Sequence, residues 1–360
     1  MVRFKKIAVK IGSNVLTRSD GTLDVTRMSA LVDQVAQLHK QGVRIVLISS
    51  GAVASGRSEL KLKNIPDAVS ARQVFSAVGQ AKLINRYYEL FREHGIYCGQ
   101  VLTTKENFGS RRHYLNQRNC MSVMMENEVI PIVNENDTTS VTELMFTDND
   151  ELSGLIASMM NMEALIILSN VDGIYTGSPA DPASKVITEI RSDETELSGF
   201  IQSDKSSFGR GGMMTKYNIA RKVADEGISV IIANGKKDNI LTSLLKENGN
   251  EICTLFVPND NPTSTIKKWI AHSEGFAKGE LHINGGAREA LTGNKATSLL
   301  PVGITRIVGE FEKDDIVKIM DENGIQIGLG KVKYNRSQAC ELIGKQGNKP
   351  IIHYDYLYID

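Results

Sequence analysis

The sequence predicts an α/β fold, a mainly parallel sheet layered between helices, followed by a small β-rich barrel. Three observations predict it. Short β-branched runs alternate with amphipathic helical stretches as far as residue 257, and several of these runs open into loops of small or polar residues. Beyond a polar, proline-bearing stretch the texture changes to short strands punctuated by glycine.

Ile7 to Ile11 reads as the first strand. Asp24 or Thr26 then caps a helix whose apolar positions Met28, Leu31, Val32, Val35 and Leu38 share one face, and Gly42 ends it. Val43 to Ile48 suits a strand buried on both faces, and it runs straight into Ser49-Ser50-Gly51. A helix near Ala77 to His94, a strand from Ile96 to Leu102, a helix around Asn116 to Asn127 and a strand from Val129 to Val133 continue the alternation. Pro131 has no N–H for a ladder, which predicts an edge or a bulge there. Asp150 to Met160 reads as a helix, Leu165 to Leu168 as a strand, Met214 to Glu226 as a helix and Val230 to Ile232 as a strand. This order divides the chain into a first domain over 1–257, a linker over 258–275 and a second domain over 276–360. In the last, Ile304 to Val308, Ile316 to Met320 and Ile325 to Leu329 read as barrel strands.

Composition excludes several classes. With 42 basic and 42 acidic residues in 360, the chain has no excess charge with which to hold a polyanion or an anionic membrane. Cys98, Cys120, Cys253 and Cys340 lie far apart without a CxxC pair, so they read as thiols in a reducing compartment. Neither a signal peptide nor a membrane-length apolar stretch is present, and the expectation is a cytoplasmic protein. Dinucleotide and P-loop glycine motifs and the protein-kinase set are absent, and His113 and His282 have no triad partners.

Chemistry concentrates where strands end. Beyond Val133 come Asn134-Glu135-Asn136-Asp137 and then Asp148-Asn149-Asp150, short polar side chains suited to gripping a charged small molecule at a crevice. Lys10 stands at the end of the first strand, before Gly12. Ser49-Ser50-Gly51-Ala52 forms a second small-residue loop, and Gly209 to Lys216 a third that leads into a helix. Lys216 in the first turn opposes the helix dipole, so it requires a nearby anion, for which a nucleotide phosphate is the natural candidate.

The segments IAVKIGSNVLT, VLISSGAVASG, IPIVNENDTTS with TDNDELSG, LSNVDGIYT and GRGGMMTK resemble, in that order, those of the glutamate 5-kinases of the amino-acid kinase superfamily. GELHINGGAREAL and SLLPVGI resemble the PUA domain appended to many of them. The resemblance implies the three-layer amino-acid kinase fold and phosphorylation of the γ-carboxylate of L-glutamate by ATP with Mg2+, the first step toward proline. Carried over by position, Lys10 and Lys216 stabilise the transferring phosphoryl group, Gly12 and Gly51 supply backbone donors to it, and Asp148 orients the lysines. Ser50, Gly51, Asn134, Asp137 and Asn149 bind glutamate. Ser169, Asn170, Arg210, Gly211, Gly212, Met213, Met214 and Thr215 join Lys10, Gly12 and Lys216 around the nucleotide, and Asp148 or Asp150 meets Mg2+. Asn170, Arg210 and Met145 depart from the family pattern and bear on nucleotide and substrate affinity. A homo-oligomer and feedback inhibition by proline are also implied.

Two rivals accompany this reading. Another acylphosphate-forming kinase, acting on aspartate, acetylglutamate or carbamate, would share the fold. Asp137 argues for an unblocked amino group, to which a carboxylate is the counter-charge. An RNA-binding regulator acting through the second domain is the other, but residues 276–353 hold eleven Lys+Arg against nine Asp+Glu, a slight excess for binding phosphates.

Overall fold

The computed structural model describes residues 2–61, 67–109, 111–140, 146, 148–191, 212–247, 249–259, 270, 274–293 and 297–359. They form two compact units, one of residues 1–105 with 116–262 and the other of 106–115 with 263–360.

In the first unit β1 (Lys6–Ile11) is followed by a single turn, α1 (Ser13–Leu16), and by α2 (Val25–Lys40), whose Asp24 cap accepts a hydrogen bond from the Arg27 N–H. β2 (Arg44–Ser49), α3 (Ala52–Glu59), α4 (Ala68–Glu93) and β3 (Tyr97–Thr103) come next; α5 (Glu106–Gly109) and the start of α6 (Arg111–Glu126) fall in the second unit, and the rest of α6 returns to β4 (Val129–Glu135) of the first. α7 (Asn149–Met159), β5 (Ala164–Ser169), the two-stranded hairpin of β6 (Ile174–Tyr175) and β7 (Val186–Ile187), and β8 (Glu189–Ile190) follow. α8 (Met213–Asp225), β9 (Ser229–Asn234), α9 (Ile240–Leu244) and β10 (Thr254–Phe256) complete the unit. α1, α3 and α9 and the strands β6, β7, β8 and β10 are additions to the elements expected from periodicity.

The main sheet has eight strands in the order β3-β4-β2-β1-β5-β9-β10-β8. All neighbours are parallel except β10, which runs antiparallel to β9. β1 lies between β2 and β5, and the chain crosses from one side of it to the other through α7. That makes the carboxyl end of β1 the switch point at which a crevice opens. Pairing along β4 accounts for Pro131: it faces Gly99 of β3, while the ladder to β2 starts at Ile132. An internal strand thus tolerates proline where one of its sides is unpaired.

Alternation along β1 sorts its side chains between two layers. Ile7, Val9 and Ile11 join Met28, Leu31 and Val35 of α2 and Leu83, Tyr87 and Phe91 of α4 in one buried core, whereas Lys10 points to the opposite face, the α7 side. The β2, β5 and β9 interiors are apolar without interruption, and that of β1 is so but for Lys10, as a parallel sheet covered on both faces requires.

The second unit carries a five-stranded sheet in the order β12-β11-β13-β14-β15, formed by β11 (Gly279–Ile283), β12 (Ile304–Gly309), β13 (Ile316–Met320), β14 (Gln326–Lys331) and β15 (Leu357–Ile359). Leu281, Ile283, Val317, Ile319, Val332, Ile351 and Ile352 close its own core. A helix at Arg336–Leu342 starts with a complete capping box, Asn335 and Gln338 each accepting from the other's backbone. Trp269 lies outside the described residues.

Candidate active site

The carboxyl ends of β1, β2, β4 and β5 frame a cleft of about 830 Å3. Of the residues singled out in the sequence, Lys10, Gly12, Ser50, Gly51, Asn134, Asp137, Asp148, Asn149, Asp150, Ser169, Asn170 and Lys216 line it. Gly212 caps α8, and Met213, Met214 and Thr215 form its first turn outside that lining. Arg210, Gly211 and Met145 lie outside the described residues.

At one end of the cleft three charges meet. Lys10 Nζ stands 2.5 Å from Asp150 Oδ1 and Lys216 Nζ 2.9 Å from Asp150 Oδ2. The side chain of Asp150 is 1% exposed. Burial alone would push its carboxyl up, but the two ammonium groups prevail and hold it at about 2. Asp150 therefore stays ionised, and it is the anion that compensates Lys216 in the first turn of α8, so no phosphate is required to explain that lysine.

Asp150, not Asp148, is the residue between the lysines. Asp148 is the N-cap of α7, its Oδ1 accepting from the Asp150 and Glu151 N–H groups. Its Oδ2 is buried and accepts no hydrogen bond among the described residues. Burial and the neighbouring Asp150 charge raise its carboxyl to about 6 against the pull of Lys10. Asp150, with both oxygens on ammonium groups, is poorly placed to ligate a metal, whereas the unpartnered Oδ2 of Asp148 is a hard oxygen of the kind Mg2+ takes. Among the described residues no three His, Cys, Asp or Glu side chains cluster as a metal cage. That agrees with an ion held by one or two carboxylates and by substrate phosphates.

Gly12 acts differently from expectation. The Gly12 N–H donates to the Leu168 carbonyl at 3.0 Å, closing the β1–β5 ladder, so it is not a donor for a ligand. A Cβ there would stand 3.0 Å from the same carbonyl oxygen, so absence of a side chain is what the position needs. Gly51 has φ +111° and caps α3, a conformation L-residues rarely adopt, and it turns Ser50 and the first turn of α3 toward the cleft.

At the other end the groups are mostly neutral. Asn149 Nδ2 donates to Ser50 Oγ at 2.9 Å, to Asn134 Oδ1 at 3.1 Å and to the Ser49 carbonyl at 3.5 Å. Asn134 Oδ1 also accepts from the Glu135 N–H, while Asn134 Nδ2 donates to Gln80 Oε1 at 2.8 Å. Asp137 accepts from Ser76 Oγ at 3.0 Å and pairs with Arg72, whose guanidinium also lies 3.0 Å from Glu135 Oε2. Glu135 Oε1 in turn accepts from the Phe146 N–H.

Arg72, Ser76 and Gln80 belong to none of the motifs read above. Spaced by four along α4, they form one polar stripe facing the polar residues that leave β4. The signal available in sequence was this spacing within an otherwise apolar helix face, a pattern that polar helix surfaces also produce.

Comparison with known proteins completes the description. The model of the amino acid kinase family matches residues 5–234, and that of the PUA domain residues 279–354. The chain is 71% identical over 357 residues to a glutamate 5-kinase of Bacteroides thetaiotaomicron, covering 99% of both chains. To a glutamate 5-kinase of Chlorobaculum tepidum it is 47% identical over 358 residues, covering 99% of this chain and 98% of that one. Among solved structures, carbamate kinase from Giardia lamblia bound to AMP-PNP matches with a TM-score of 0.52 at 16% identity, over 72% of this chain and 100% of that chain, a likeness of fold.

Proposed function

From the premise that the chain belongs to the amino acid kinase family and, within it, to the glutamate 5-kinases, we propose a division of labour for the cleft. The reaction is ATP-dependent phosphorylation of the γ-carboxylate of L-glutamate to γ-glutamyl phosphate, the first step of proline biosynthesis. The observation that carries the division is the pairing of Lys10 and Lys216 on one buried carboxylate, beside an amide-lined recess that ends at Asp137.

A carboxylate nucleophile is ionised at neutral pH, so the site needs no general base. What it must supply is alignment and neutralisation of the charge on the migrating phosphoryl oxygens. Lys10 and Lys216 are suited to that, arriving from β1 and α8 with their ammonium groups already aimed by Asp150. Fixing them in advance spares reorganisation as the charge develops.

Glutamate lies with its ammonium toward Asp137. Asp137, buried beside Arg72 and Ser76, is the carboxylate in the cleft suited to pair with that ammonium. Ser50, Asn149 and Asn134 hold the carboxylates and backbone of the substrate. Ser169 and Asn170 at the end of β5 and the start of α8 face the nucleoside and phosphates, an arrangement supported by their place on the opposite side of β1 from β4. Asp148 would hold Mg2+, which contributes charge neutralisation on the nucleotide phosphates when bound.

Among the described residues no helix is long and apolar enough to cross a membrane, and together with the unpaired cysteines this supports the cytoplasm as the site of action. Feedback by proline and a homo-oligomeric state accompany the reading on family grounds alone.

Trapping the acylphosphate with hydroxylamine tests the assignment. With ATP, Mg2+ and L-glutamate the intact chain yields the γ-hydroxamate, and N-acetylglutamate, lacking the ammonium, yields little. Efficient product from N-acetylglutamate with none from glutamate would overturn the placement of Asp137.

A further inference from the structure

Gln80 lies on α4, and no motif or reaction step described above uses it. It is 8% exposed, and its Oε1 is the acceptor for Asn134 Nδ2 at 2.8 Å. An amide has one accepting and one donating end, and Asn134 is held at both, its Oδ1 by the Glu135 N–H and its Nδ2 by Gln80. With Nδ2 turned to Gln80, its Oδ1 meets Asn149, which must present Nδ2 in return. Asn149 Nδ2 also donates to Ser50 Oγ, so the Ser50 hydroxyl accepts there and retains its own O–H to donate. Asn149 thus donates to both of its neighbours, to Asn134 on the side of Gln80 and to Ser50 on the other.

We propose that Gln80 is a positioning residue that, together with the Glu135 N–H, holds Asn134 in this orientation, so that Ser50 offers a hydrogen to a substrate carboxylate and Asn149 offers its carbonyl oxygen to the substrate ammonium. The proposal rests on the glutamate reading above and deepens it. It revises the carried-over role of Asn149, whose amide N–H groups are committed within the row and whose Oδ1 is the polar atom left for a ligand. A substrate with an ammonium near one end and a carboxylate near Ser50 meets an acceptor and a donor in the right places. One lacking the ammonium leaves the Asn149 carbonyl unmatched, which costs more than the contact itself would gain.

The test is steady-state kinetics on the intact chain and on two variants. Gln80→Met keeps the volume and removes the acceptor, so the buried Asn134 Nδ2 loses its partner and the side chain is held at its Oδ1 end alone. The glutamate KM rises about ten-fold, while kcat and the ATP KM stay within about two-fold. The preference for glutamate over glutarate, which has no ammonium, falls by about the same factor as binding. Gln80→Glu keeps an acceptor for Asn134 and restores the glutamate KM to within about three-fold of the parent. An unchanged glutamate KM in Gln80→Met, or a folded Gln80→Glu as impaired as Gln80→Met, overturns the proposal. Circular-dichroism melting identifies a variant that fails to fold, and if Gln80→Met is that variant, the glutamate KM and glutarate preference of Gln80→Glu decide alone. A parent chain that forms no acylphosphate from glutamate would instead sink the function proposed in the preceding subsection.

Discussion

The two ends of the cleft are built from different materials. At the end proposed for the phosphoryl group, Lys10, Asp150 and Lys216 are full charges, nearly buried, each ammonium within 2.9 Å of an Asp150 oxygen. At the end proposed for the amino acid, Ser50, Asn149, Asn134 and Gln80 are neutral and linked in a row, beside the charges of Arg72, Glu135 and Asp137. The contrast teaches that migrating charge is met by charge, while a substrate with fixed groups is read by the direction of dipoles. Removing one partner of a buried ion pair costs about 3–5 kcal/mol, against about 1 kcal/mol for a neutral hydrogen bond.

That difference sets the order of the predicted effects. The largest follows from Asp150→Ala, which leaves two lysines without a shared anion and lowers kcat by about three orders of magnitude in the hydroxamate assay. The glutamate KM should change little, and a defect confined to KM would erase the distinction between the two ends. Lys216→Met comes next, with kcat down about 100-fold, the loss expected when one electrostatic stabiliser of a transferring group is removed.

Arg72→Met sharpens the boundary from the other side. It leaves Glu135 and Asp137 without their common guanidinium, and the expected result is a glutamate KM raised about ten-fold with kcat within about three-fold. A fall in kcat without a change in KM would move Arg72 to the phosphoryl end. The smallest effect is in stability. Asp148 titrates near 6 in the fold against an ordinary carboxyl value of 3.8, so its ionisation above pH 6 works against the folded state. The penalty is relieved as pH falls through 6 and is gone below about pH 4. Asn is as good an N-cap. Asp148→Asn should therefore melt a few degrees above the parent at pH 7.5, with the gap closing between pH 6 and 4, and a constant gap would contradict it.

Much of the fold was legible because hydrophobic period and loop chemistry agree along β1, α2, β2, β4, α7 and β5, and the resemblance in five ordered segments pointed to the same family. The candidate site was legible where side chains leave strand ends. Less visible was the choice between Asp148 and Asp150. Two residues apart, they look alike in sequence, yet one falls just outside the helix and caps it while the other lies inside and faces β1. The contribution of α4 was hidden for a different reason. Arg72, Ser76 and Gln80 are separated from the Asn134–Asp137 segment that they meet by β3, α5 and α6, and only the packing of α4 against the exit of β4 gives their spacing a meaning. β10 escaped notice because three residues are too short a run to carry an alternation, and its antiparallel course depends on its neighbours.

The place of Asp150 between β1 and α8 has a bearing on biosynthesis of the polypeptide itself. On a ribosome Lys10 and Asp150 emerge well before Lys216, so a nascent chain that has assembled the first strands holds a carboxylate with half its counter-ions. Docking of α8 supplies the rest. A product truncated before α8 would lack Lys216 and leave the buried Asp150 carboxylate facing Lys10 alone, a charge imbalance that works against the fold.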